Sequence, residues 1–273
     1  MVVFRSAWFW GLIGFGLVMV LYVILAAMGW TGTPDSCTLP GGNCYCEAYP
    51  LPPATALVKQ PANTWSGLFA VIAGIVVLAI SDRDRAAGST ANPMRSGGFY
   101  AIAYGALLVF LGPGAMFFHG GLTHFGGWMD NLSMILYVSF ILVYEAFRLA
   151  EWSDRVGVFV VIFAVINVLL GLFTWFVQGS GTIVFAILAV VAVVLQIVIL
   201  WKHPRGITRQ FVPWLLLGVI SFVIAVVFWA LSFTGAPLCN PNSLLQGHAL
   251  WHLLAMALTP FFVFLYLRDE TTA

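Results

Sequence analysis

The polar and apolar positions of this chain do not alternate, nor do the apolar ones recur every third or fourth residue as on a helix with one wet face. They run almost unbroken for about twenty residues at a time, the length that crosses a bilayer as a helix. The first run is Trp8 to Trp30, preceded by Arg5. It is longer than the roughly 7 to 15 residues of a signal-peptide core, which predicts a retained transmembrane helix. A Pro- and Gly-rich loop, Thr31 to Gln60, follows. A second helix is expected from Pro61 to Ile80, with Pro at the first turn, where its missing N–H costs nothing. After a charged loop from Ser81 to Ser96 come helices over Gly97–His119, Trp128–Ala150 and Val156–Val177. Between the first two of these lies a Gly-rich connection, Gly120 to Gly127. A turn at Gln178–Gly181 leads to a helix ending at Trp201, then Pro213–Thr234 and Gly247–Leu267. The pattern predicts an all-α, polytopic membrane bundle: an N-terminal transmembrane helix (1–30), an outer Cys-containing loop (31–60) and a seven-span core (61–273).

Composition agrees with that environment. Apolar residues make up 62% of the chain, charged residues 8%, and mean hydropathy is +1.00. A soluble domain carries about 25% charged residues. The net charge of +1, with no basic patch interleaved with aromatics, gives no footing for a nucleic-acid partner. Charge placement adds a direction. Eight spans put both termini and every second loop on one side, which collects Arg5, Arg83, Arg85, Arg95, Arg148, Arg155, Lys202, Arg205, Arg209 and Arg268. The other side has Lys59 alone, so the positive-inside bias predicts cytoplasmic termini. All four cysteines, Cys37, Cys44, Cys46 and Cys239, then fall on the oxidising side, where one or two disulfides are expected and three full pairings remain open.

The candidate chemistry lies on that same side. His248 and His252 are four residues apart, one turn above the other on one helix face, as for two ligands to one metal. Zinc peptidases carry Glu after the first His; here Ala249 stands there, so a base has to come from elsewhere. His119 closes the third span and Asp130 opens the fourth, both at the outer face, with His124 between them as an expected surface residue. Ionisable groups inside membrane spans are expensive and face the bundle interior with a partner. Three neutral imidazoles, His119, His248 and His252, would leave zinc one open position, the catalytic arrangement. Asp130 is the candidate general base. Haem, held by two of the three His, is the rival metal reading, in an electron carrier or a proton-coupled transporter.

The ordered set Cys46-Glu47, Gln60-Pro61-Ala62-Asn63-Thr64-Trp65-Ser66, Phe118-His119, Asp130-Asn131-Leu132-Ser133-Met134 and His248-x-x-x-His252 resembles the CREST superfamily. That group contains alkaline ceramidases, adiponectin-receptor-type and haemolysin-III-like proteins, and the Cys-Glu and Asn-Thr-x-Ser elements resemble the ceramidase branch. The resemblance implies a seven-helix bundle with zinc on His119, His248 and His252, and Asp130 as the acidic group at the metal. It implies hydrolysis of the amide of a ceramide-like membrane lipid reached from the bilayer, with Glu47, Asn63, Thr64 and Ser133 as supporting motif residues. Where the family has Ser one turn before the first His, this chain has Ala115. Either Thr64, Ser66, Thr123 or Ser133 replaces the lost hydroxyl, with Ser66 and Thr64 preferred, or zinc alone polarises the carbonyl, or the chain is a slow or inactive hydrolase; Ser66 is assigned a catalytic role. The acidic calcium-binding segment of the animal enzymes is not matched around Cys46, so no calcium site is expected. Cys239 is expected to pair with a cysteine of the first loop, Cys46 being favoured because it abuts the motif. The alternative within the superfamily is a non-enzymatic receptor or haemolysin-III-like protein with structural zinc.

Overall fold

Each apolar run folds as a helix because only a helix satisfies every backbone N–H and C=O within the hydrocarbon layer. The computed structural model describes residues 6–38, 43–47, 57–88, 91–202 and 212–270. Arg5, His203, Arg205 and Arg209, and parts of the 31–60 loop, lie outside the described residues. The helices are α1 (Ala7–Ala27), α2 (Pro61–Ser66), α3 (Leu68–Ala87), α4 (Phe99–Gly121), α5 (His124–Leu149), α6 (Val156–Phe176), α7 (Gly181–Lys202), α8 (Val212–Ala230), α9 (Gly247–Trp251) and α10 (Thr259–Asp269). With α2–α3 and α9–α10 each forming one span, eight helices among the described residues are long and apolar enough to cross a membrane. The chain is a polytopic membrane bundle.

The buried centre is α4, flanked by α3, α5 and α1. Small residues let α3 approach it closely, as membrane helices require where no hydrophobic effect drives them together. A Cβ on Gly67 would sit 2.8 Å from the Gly112 carbonyl oxygen, and one on Gly74 2.6 Å from the Val109 amide nitrogen. The Gly67 approach also separates α2 from α3. On the far side of α4, α7 packs on α5, and α8 packs on α9 and α10. Among the described residues there is no comparable packing of α7 against α8, and these two helices flank an opening in the bundle.

Several boundaries differ from the sequence reading. The second span continues through the charged stretch to Ala87, where Arg85 pairs with Asp82 one turn back and Asp82 also accepts the Trp8 amide (3.3 Å). The Gly120–Gly127 connection is almost entirely helical. The chain reverses in two residues: Leu122 takes left-handed angles (φ 47°), and Thr123 caps α5 by accepting from the Gly126 amide at 3.1 Å. The seventh span stops at Ala230 because the backbone beyond it pairs with the first loop: Cys46 N–H donates to Ser232 O and Thr234 N–H to Cys44 O, both at 3.0 Å. The last span carries a π-helical stretch, His252–Leu258, ending two residues before Pro260. Proline cannot donate to the preceding turn and clashes with it, and widening that turn accommodates the ring.

The ion pairs among the described residues are confined to one of the two ends. That end holds Arg268–Asp84 (2.6 Å), Arg148–Glu145 (2.9 Å) and Arg148–Glu270 (2.7 Å). The opposite end holds His119, His248 and His252 and two disulfides, Cys37–Cys44 and Cys46–Cys239.

Candidate active site

The site begins where α4 ends. The last carbonyls of a helix have no partner within it. Here the segment before α2 supplies them: Gln60 N–H donates to His119 O and Lys59 N–H to Gly120 O, both at 3.0 Å, while Lys59 Nζ reaches Gly121 O at 2.6 Å. A cation at a helix C-terminus is favourable, although burial pulls the Lys59 amine below its ordinary pKa. This backbone seam locks Gln60 beside His119. Its side-chain Oε1 meets His119 Nδ1 at 2.7 Å, and its Nε2 donates to Tyr45 O at 3.2 Å. Because Nε2 is spent on a carbonyl, the atom facing the imidazole is an acceptor. His119 therefore carries its proton on Nδ1 and presents a bare Nε2.

The same logic fixes His252. Ser66 Oγ donates to Asn63 O (2.8 Å) and so accepts from His252 Nδ1 (2.7 Å), which leaves His252 Nε2 free. His248 stands one turn before His252, and its Nε2 lies 3.1 Å from His119 Nε2. All three imidazoles are buried, and one nitrogen of each lies within 4.8 Å of the others. Tetrahedral ligand nitrogens around zinc are about 3.3 Å apart. Two rings held with their lone pairs turned toward a third form a donor set that suits a cation. Hydrogen bonds on the outer ring nitrogens are what normally orient histidine ligands.

Two elements of the first loop complete the walls. Tyr45 stacks on His248, ring centroids 3.4 Å apart and planes at 19°, and its hydroxyl accepts from Trp229 Nε1 at 3.0 Å. Burial, reinforced by the charge of Asp130, pushes the Tyr45 phenol above its ordinary pKa. Glu47 caps α2: its carboxylate accepts from the amides of Ala62 (2.6 Å) and Asn63 (2.9 Å). Burial raises the Glu47 pKa, and these two amide bonds oppose the shift. The Cys46–Cys239 bridge between Tyr45 and Glu47 ties both to the segment after α8.

Asp130, in the second turn of α5, shares with His248 and His252 the wall of a cavity of about 860 Å³. The rim is polar (Asp35, Asn43, Asn131) and the body apolar, formed by Phe185 and Val190 of α7 and Phe222 and Val226 of α8. Val190 and Val226 are 63% and 39% exposed, so the cavity opens sideways between these helices.

The predicted residues do not all gather at the metal set. Ser66, expected to offer its hydroxyl to a reacting carbonyl, has that hydroxyl committed to His252 and Asn63 O, which makes it a positioning residue. Ser133 Oγ donates to the Asp130 backbone carbonyl (2.8 Å), and the Thr123 hydroxyl is used as a helix cap. Thr64 is buried with its hydroxyl beside that of Tyr22. Asn63 is fully buried, and its side-chain amide has no hydrogen-bond partner among the described residues. Ala115 is buried one turn before His119. Sequence reasoning missed the roles of Gln60 and Tyr45. Gln60 opens one of the quoted motifs and Tyr45 flanks another, but the tie of Gln60 to His119 across 59 residues was not legible from spacing.

The family profile described as Ceramidase matches residues 45–271, from Tyr45 at the mouth to the end of the last span. The chain belongs to the ceramidase family. Helix α1 precedes the matched residues. No individual curated protein matches the chain.

Proposed function

We propose that this protein is a zinc-dependent membrane hydrolase that cleaves the amide bond of a ceramide-like lipid. The observation that carries the reading is the convergence of three buried imidazoles, His119, His248 and His252, two of them with their tautomers fixed by Gln60 and Ser66, at the head of an apolar cavity whose wall also bears Asp130. Family membership supports the substrate class. Zinc supplies Lewis acidity that polarises a carbonyl and makes water acidic enough to attack near neutral pH. The rest is work for the chain. Asp130 takes a proton from the attacking water on a carboxylate oxygen. As the C–N bond breaks, it returns that proton to the leaving amine nitrogen. Gln60 and Ser66 hold His119 and His252 by their Nδ1 atoms, which leaves both Nε2 atoms free to bind the zinc that these imidazoles would hold. The apolar body of the cavity receives hydrocarbon, and the polar rim receives the headgroup. Haem takes two ligands across a porphyrin plane, whereas here a third imidazole and the Tyr45 ring crowd the first two. The gathering of Lys and Arg on the opposite side, with Lys59 alone on this one, supports a site at the non-cytoplasmic face.

The test uses purified protein in detergent. Chelation is expected to abolish ceramide-like amide hydrolysis and zinc to restore it. Asp130→Asn is expected to retain about one zinc and lose at least a hundredfold in rate, in the range typical of a general base. Loss of zinc in Asp130→Asn, or hydrolysis indifferent to chelator, overturns the reading.

A further inference from the structure

Below the cavity that holds the histidines lies a second, of about 340 Å³, walled by the same α5, α7 and α8 and by the last span. The two share Met134, Phe185, Ala189, Phe222 and Trp251, so they meet at a waist and form one groove. The lower part is apolar apart from Tyr137 and Thr259 until its far end, where Glu145, Gln196 and Tyr266 close it. This floor is a hydrogen-bonded unit. The Gln196 amide satisfies both neighbours in one orientation, its nitrogen donating to Glu145 Oε1 (2.9 Å) and its oxygen accepting from the Tyr266 hydroxyl. Glu145 is anchored by Arg148 (2.9 Å), which also holds Glu270 (2.7 Å). Glu145 and Tyr266 are buried. No group of the floor needs a ligand, so it acts as a wall.

The geometry points to this floor as the acyl-length determinant of the enzyme, with Gln196 and Ala189 as specificity-determining residues. The inference rests on the ceramide-like substrate proposed above. From Asp130 to Glu145 the fourth span rises about 22 Å, at 1.5 Å per residue. One leaflet of hydrocarbon is about 15 Å deep, half of the bilayer core. A tail of ordinary membrane length therefore fits above the floor, and a very long tail reaches it. To go further the tail must break the Gln196 bonds or turn out between α7 and α8, losing its packing. Leaving one buried polar group unpaired costs enough for about a tenfold or greater preference.

Two readouts test this at matched zinc content. One is kcat/KM across amides with short, long and very long acyl tails. The other, independent of turnover, is native mass spectrometry of protein equilibrated with a mixture of free fatty acids of graded length. Gln196→Ala is expected to raise the very-long to long ratio about tenfold in both. Ala189→Phe, at the waist, is expected to shift both profiles toward short tails by at least as much, and it leaves the floor intact should Gln196→Ala fail to fold. Length profiles unchanged in Ala189→Phe, or unchanged in a folded Gln196→Ala, overturn the inference even if the wild type cleaves ceramide. Absence of hydrolysis with a length-selective, variant-sensitive fatty-acid profile overturns the amidase reading and leaves the floor standing.

Discussion

At the residue scale, the imidazole triad that could hold a metal depends on two side chains outside it. Gln60 and Ser66 each place an acceptor against an imidazole Nδ1, and through it they decide which nitrogen carries the lone pair. Outer partners of this kind typically contribute about 10- to 100-fold in metal affinity. Gln60→Leu keeps the volume and removes the acceptor, leaving a buried N–H on His119 unpaired. It is expected to weaken zinc binding by about that factor, with Gln60→Glu rescuing most of the loss because a carboxylate oxygen accepts the same bond. Competition with a chromophoric chelator reads the affinity directly. Unchanged affinity in Gln60→Leu would show that the ring is oriented by packing alone. Sequence supplied the three histidines through the four-residue repeat and the shared depth of His119. It could not supply their tautomers, which depend on the Tyr45 carbonyl and the Asn63 carbonyl lying where they do.

At the element scale, the organising piece is α2, six residues long and too short to be stable by itself. It carries Asn63, Thr64 and Ser66 and follows Gln60 directly, so its position sets half of the imidazole partners. Three things hold it: Glu47 on its first amides, the seam of Lys59 and Gln60 on the end of α4, and the close contact of Gly67 with Gly112. Glu47 thus acts on the site from a distance, through the N-terminus of a helix, where an anionic acceptor is favourable. Glu47→Ala is expected to destabilise the folded protein by about 1 kcal/mol, as loss of a helix cap does, and to lower zinc affinity although Glu47 contacts no imidazole. Thermal unfolding in detergent with and without zinc measures both effects. Lower stability with zinc affinity intact would separate α2 from the metal set. Elements were legible where they were long and uniformly apolar. They were misjudged where a cap or a partner segment decided the end, as at Thr123, which starts α5 four residues before Trp128, and at Ser232–Thr234, which joins the first loop instead of extending α8. Glu151 and Arg155 have the spacing of a helical pair, but Glu151 lies past the end of α5 in left-handed angles and Arg155 stacks on Trp152.

At the scale of the whole molecule, eight spans followed from run length alone, and the common depth of the histidines followed from counting spans. Which spans adjoin did not follow, because α6, α7 and α8 are apolar all round and carry little pattern to say which face meets a neighbour. The structure separates α7 from α8, and the cavity beneath is lined by residues of both that also face outward. A lipid amide held in the bilayer has its tails at that level and can slide in without leaving hydrocarbon, so its apolar surface is never transferred through water. A short, water-soluble amide has no such need and can descend past the polar rim of Asp35, Asn43 and Asn131. The two routes predict opposite sensitivities to narrowing the gap. Val190→Trp combined with Val226→Trp places two large rings on its facing edges, at side chains that line the apolar body of the cavity and are exposed on its outer side. Hydrolysis of a ceramide-like lipid in vesicles is expected to fall at least tenfold, while turnover of a short acyl amide in detergent changes less than twofold, the tenfold step corresponding to about 1.4 kcal/mol on the access barrier. Equal losses for both substrates would mean that the rings disturb the site itself, and an undiminished lipid rate would place lipid access elsewhere than between α7 and α8.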